Sequence, residues 1–163
     1  MPAGYLEHSP ADVVGRLLVQ LGVGSDPDIP GLTWPIFDGI EPDVPDNLIT
    51  VYDTKGFQFG RNELGIVSEA PTITFRVRST IPGNGFRKTS EIQKTISEFP
   101  PFTQVFVTDP VLGVRTYEVH TIKPSTTIIN LGKNAPSILG ATASTSKRNI
   151  YVLNAVVVLR QIS

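Results

Sequence analysis

The chain has 163 residues, 40 % of them hydrophobic and none cysteine, which is enough for one domain with its own core and leaves out disulfides, thiolate zinc sites and cysteine nucleophiles. No run approaches the ~20 apolar residues of a membrane helix, and the opening Met1-Pro2-Ala3-Gly4-Tyr5-Leu6-Glu7 has neither the basic start nor the apolar stretch of a secretory signal. A net charge of −1 makes no electrostatic case for nucleic-acid binding, but it is unevenly spread: residues 1–50 hold eight acids against Arg16 alone, and the remainder thirteen bases against seven acids.

Ser9-Pro10-Ala11-Asp12 is a helix start, with Ser9 as cap, Pro10 in the first turn and Asp12 complementing the dipole. Val13, Val14, Leu17, Leu18 and Leu21 then recur on one helical face, and Gly22 and Gly24 supply the stop, so a helix is predicted over 9–22. Residues 25–47 carry Pro27, Pro30, Pro35, Pro42 and Pro45, which forbids a long helix or a central strand and leaves only 34–40 as a short edge strand. A connection this long has a job or packs as an extended arm. Its aspartates suit turns, and with the basic remainder they also fit a subunit that docks an acidic face on copies of itself.

Leu48-Ile49-Thr50-Val51-Tyr52 reads as a strand, and so does 72–78. In the second, Ile73, Phe75 and Val77 share the core face while Thr74, Arg76 and Arg78 share the other. Between them, 53–70 reads as a hairpin arm with Phe57 and Phe59 set among glycines. Gly83-Asn84-Gly85 reads as a break, followed by a second helix over 86–99 whose inward stripe is Phe86, Thr89, Ile92, Ile96 and Phe99. Three strands follow, over 104–108, 115–122 and 150–159, the last apolar on both faces as a central strand should be. The Ser/Thr/Ala/Gly segment 132–149 reads as a loop with Ile138 and Leu139 as its apolar feature. The fold class this predicts is α+β, a mixed and mostly antiparallel sheet with two helices on one face and long protruding loops, in a single domain over 1–163.

Motifs of chemistry are sparse. The only histidines, His8 and His120, have no spacing that makes a metal site, and a surface or hydrogen-bonded structural role is expected for both. Gly83-Asn84-Gly85 fails the dinucleotide fingerprint at Lys88, and no serine sits in a nucleophile elbow. Basic and aromatic residues interleave only over 55–61, a faint likeness to a single-strand platform that is outweighed by a hairpin tip docking on a protein neighbour. The expectation is a structural subunit, with no enzyme activity, cofactor or metal.

Pro45-Asp46-Asn47-Leu48-Ile49-Thr50-Val51-Tyr52-Asp53-Thr54 followed by Pro71-Thr72-Ile73-Thr74-Phe75-Arg76-Val77-Arg78 resembles the tail terminator, or tail-completion, proteins of long-tailed bacteriophages, including those described as minor capsid proteins. The helices over 11–21 and 86–99 match that family in place. The resemblance implies an α+β core and a ring of six copies that caps the tail tube, meets the head-completion or neck proteins, and lets DNA pass without specific binding. It places the chain at the head-proximal end of the virion tail, after assembly in the host cytoplasm. A different head–tail connector, a neck or stopper protein, is the alternative; a small hydrolase or ligand-binding module is a more distant one. The proline-rich segment and the 132–149 loop depart from the shorter family members. Contacts with ring or tube neighbours are expected from Phe57, Phe59 and Arg61 at the arm. Arg76 and Arg78 are expected to meet Asp38, Glu41, Asp43 or Asp46 of an adjacent copy, with Ile138 and Leu139 as a further contact.

Overall fold

A computed structural model describes residues 6–61, 67–133 and 148–162, giving the backbone alone for 55–61, 67–69 and 133. Its first element, α1 (Pro10–Gln20), starts as the sequence predicts: the Ser9 hydroxyl accepts from Asp12 N–H at 3.2 Å, and Pro10 needs no partner at the first helical position. The helix ends on Gly22 at φ +76°, with Val23 N–H reaching back to Leu18 O and Gly22 N–H to Val19 O, which satisfies the last carbonyls. Three strands follow, β1 (Ile36–Asp38), β2 (Leu48–Arg61) and β3 (Val67–Ser79). Helix α2 (Pro82–Glu98) leads to β4 (Thr103–Asp109), β5 (Gly113–Pro124), β6 (Ile129–Lys133) and β7 (Asn149–Gln161).

All seven strands form one sheet in the order β1-β2-β3-β7-β5-β4. Only β1 and β2 run parallel; every other pairing is antiparallel. On one side β7 pairs with β3. On the other its C-terminal half pairs with β5 and its N-terminal half with β6, so β5 and β6 share one lane interrupted at 125–128. The result is the expected α+β fold, with a mixed, mostly antiparallel sheet.

Both helices cover one face. Ala11, Val13, Val14, Leu17 and Leu18 of α1 and Ile92 and Ile96 of α2 join Ile73, Phe75 and Val77 of β3 in one buried cluster, with Leu153, Ala155 and Val157 of β7. The alternation read in 72–78 therefore sends its apolar set to the core, and Phe99 packs against that cluster from the end of α2.

Helix α2 differs from expectation at its start. It opens at Pro82, four residues before Phe86, and absorbs Gly83-Asn84-Gly85 into its first turns. Phe86 is 51 % exposed, its ring edge-on to Tyr151 with centroids 6.1 Å apart, and Gly85 takes the inward position instead. A Cβ at Gly85 would stand 2.7 Å from Tyr151 Cε2, so the glycine is there for close approach and breaks nothing. Gly85→Ala, which helix propensity alone favours, should instead cost about 1–3 kcal/mol through overpacking. A melt of the variant settles the sign.

Candidate functional site

The face of the sheet away from the helices is half roofed by residues 39–47 of the proline-rich segment. Leaving β1, the chain turns at Gly39 (φ +69°) and crosses back over the polar side chains of β2 and β3. There Thr50 lies opposite Arg76, Tyr52 opposite Thr74 and Leu48 opposite Arg78. Arg76 and Arg78 are 2 % and 1 % exposed, which makes them the largest fully buried side chains in the described chain. Glu41, dropped from above, holds both: its Oε2 stands 2.9 Å from Arg76 Nε and its Oε1 2.8 Å from Arg78 Nη1. Arg78 Nη2 also donates to the carbonyls of Asp43 (2.9 Å) and Pro45 (2.6 Å), stitching the main chain of the crossing segment to the sheet.

Arg148, at the entry to β7, closes the far end. Its Nη1 stands 3.0 Å from Asp43 Oδ1, and its Nη2 stands 2.6 Å from Asp46 Oδ1. Three guanidiniums thus meet three carboxylates in one array.

The electrostatics follow from burial. Burial lowers the pKa of Arg78 because it disfavours the charged form, while the Glu41 carboxylate beside it pulls the other way. For Arg148 burial also opposes the charge, but hydrogen bonds to Asp43 and Asp46 outweigh it and the pKa rises. Burial and the nearby Glu41 charge push Tyr52 up to about 12. Among the array's described atoms Thr50 Oγ1, Arg76 Nε and Nη1, and Arg78 Nε find no hydrogen-bond partner, Arg76 meeting Glu41 as an ion pair without hydrogen-bond alignment, so the array is strongly charged and incompletely bonded.

This arrangement corrects one expectation. Arg76 and Arg78 do lie on the face opposite the core, but they are not a solvated surface awaiting the acids of another copy. Glu41 and Asp43 of the same chain meet them, because 39–47 folds back over the sheet. In this array three of the eight acids of residues 1–50 thus meet bases of the remainder within one chain. Asp38 stands apart from the array: it is exposed at the end of β1, near enough to Asp12 that its charge joins burial in raising the Asp12 pKa.

The remaining expected contacts are less complete. The backbone of Phe57, Phe59 and Arg61 continues β2, opposite Ala70, Ser68 and Val67, with register shifts after Thr54 and after Phe59. Beside it β3 stays paired to β7 out to Glu69, so much of the expected arm is sheet. The side chains of Phe57, Phe59 and Arg61 lie outside the described residues, as do Ile138 and Leu139 altogether. Arg148 was missed by sequence reasoning; a single base before an apolar strand carries no signal that distant carboxylates will meet it.

Both histidines are tied into local networks. His8 Nδ1 lies 2.7 Å from the Tyr117 hydroxyl, which also accepts from His8 N–H at 3.0 Å, and its Nε2 is 3.9 Å from Asp109 Oδ2. His120 bonds Glu118 at 2.8 Å and lies against Phe102, centroids 4.8 Å apart. Among the described residues no group of three or more His, Asp or Glu side chains gathers as metal ligands would, and no helix is long and apolar enough to cross a membrane. An open recess of ≈ 310 Å³ beside Trp34 is lined in part by Lys88. That ammonium is already engaged by Val23 O (2.9 Å), Glu91 (2.6 Å) and the indole face.

No protein-family model matches the chain, and no curated protein matches it.

Proposed function

We propose that the chain is a structural virion subunit that assembles into a ring, of six copies as in the family it resembles, which terminates a phage tail tube and joins it to the head–neck. One observation carries this reading beyond the linear motif. The two segments that bear the resemblance are neighbours in the sheet, β2 against β3, and Arg78 at the end of the second donates to the carbonyl of Pro45 at the start of the first. The motif pair is thus one bonded unit.

In this reading no side chain has a chemical step to perform. A ring made by repeating one head-to-tail contact closes when the rotation per subunit divides a full turn, and it presents different surfaces above and below. One surface meets the tube and the other the neck protein. A net charge of −1 suits a collar through which DNA passes without being gripped.

The test is to add the purified chain to tail tubes assembled without a terminator and image them by electron microscopy, with native mass spectrometry of the free chain alongside. Six-fold caps at one tube end are the expected result. A chain that binds the neck protein and ignores tube ends is another connector, and one that binds neither is not an assembly subunit of this kind.

A further inference from the structure

The sealed end of the array carries more positive charge than its carboxylate neutralises. Arg76 and Arg78 are both fully buried, and among the described residues Glu41 is the only carboxylate that forms an ion pair with either. Asp43 and Asp46 are engaged by Arg148, and their side chains are more than half exposed. Tyr52 supplies no second anion: burial holds its hydroxyl protonated, and it donates toward Glu41 Oε2 at a long 3.4 Å. An arginine does not give up its proton. Two guanidiniums therefore share one carboxylate, and one unit of positive charge is left over where water screens it least.

The hydrogen bonds fall short at the same place. Arg76 Nε and Nη1, Arg78 Nε and Thr50 Oγ1 are all buried and find no partner among the described residues. The ladder sets them side by side. Thr50 stands directly opposite Arg76, and Arg78 lies two residues on, on the same face.

The side chains around them offer no acceptor. On the β7 side Arg76 lies opposite Val152 and Arg78 opposite Ile150, both buried and apolar. The neighbouring Thr74 hydroxyl is bonded to Asn154 Oδ1 at 2.6 Å. The cluster thus presents N–H and O–H donors with positive charge behind them, and what it calls for is an acceptor with negative charge.

We propose that Arg76, Arg78 and Thr50 bind one small inorganic monoanion, of the size and charge of chloride, beside Glu41 and beneath residues 39–47. A water molecule there would satisfy donors and leave the charge. One surplus unit asks for a monoanion, and the covering segment keeps out a bulky one. The bound ion is a structural ligand that helps fix residues 39–47 over the sheet. It acts by occupancy, unlike the screening that bulk salt exerts on exposed charges. The site lies within one chain and stands independently of the ring.

Unfolding of the full chain in mixtures of sodium chloride and sodium gluconate, at one fixed ionic strength, separates occupancy from screening. A ligand bound only by the folded state raises the folding constant in proportion to 1 + [L]/Kd, so above Kd each tenfold rise in chloride should raise it by up to about tenfold. Arg76→Met leaves Glu41 and Arg78 as a one-to-one pair, and its folding constant should not respond to chloride. Crystals of the unmodified chain grown with bromide give a reading that needs no variant, with an anomalous peak expected in contact with Arg76 and Thr50. Equal stability of the unmodified chain in chloride and gluconate overturns the proposal, as does an Arg76→Met chain that responds to chloride as the parent does. A bromide peak without chloride-dependent stability is an adventitious ion only, and overturns it too.

Discussion

Replacing Glu41 by Gln will destabilise the isolated chain by about 3–5 kcal/mol, the usual cost of removing one partner from a buried ion pair. Gln keeps the size and one acceptor but no charge, and it leaves Arg76 and Arg78, at 2 % and 1 % exposure, without a buried counter-ion. Urea unfolding should show a lower midpoint at an unchanged slope. Asp38→Asn, exposed and outside the array, should stay within about 0.5 kcal/mol of the parent. The pair of variants separates two pictures of the same arginines. If their counter-charge came from a neighbouring copy, Glu41→Gln would spare the monomer and damage only assembly; an unchanged midpoint would therefore mean that residues 39–47 do not roof the two arginines.

Phe75→Ala should cost a similar amount, about 3–5 kcal/mol, by a different mechanism. Phe75 is fully buried at the middle of β3, opposite Val51 on one side and Leu153 on the other, in the cluster that also takes Ile92 and Ile96 from α2. Its neighbours belong to long strand ladders and cannot collapse into the space a phenyl group leaves. A loss below about 1 kcal/mol would mean that β3 is flipped, because a one-residue slip moves Phe75 to the face now held by Arg76.

Much of this was legible because the signals were local. Ser9, Pro10 and Gly22 mark α1 within a few residues of its ends, and the strict alternation of 72–78 assigns both faces of β3 from sequence alone. The errors arose where a distant contact decides. Gly83-Asn84-Gly85 looks like a stop because glycine lowers helix propensity; the requirement that overrides it is the Tyr151 ring, sixty-odd positions away in sequence. Strand β6 went unread since Ile129-Asn130-Leu131-Gly132-Lys133 is short, contains a glycine and earns its pairing only from β7. Likewise the face of Arg76 and Arg78 was readable but their burial was not. Nothing in a proline-rich stretch of acids announces that it will fold back as a roof.

The carboxylates of that roof differ sharply in their access to water. The Glu41 side chain is 4 % exposed, whereas those of Asp43 and Asp46, which hold Arg148, are more than half exposed. Dissolved ions screen charges they can surround, over a length of about 10 Å at 0.1 M, and scarcely touch those sealed from solvent. Rising ionic strength therefore weakens the grip of Asp43 and Asp46 on Arg148, and with it the tie between the crossing segment and the start of β7, while the Glu41 anchor and the bond from Arg78 to Pro45 O hold: the roof has a salt-sensitive hem and a salt-blind seam.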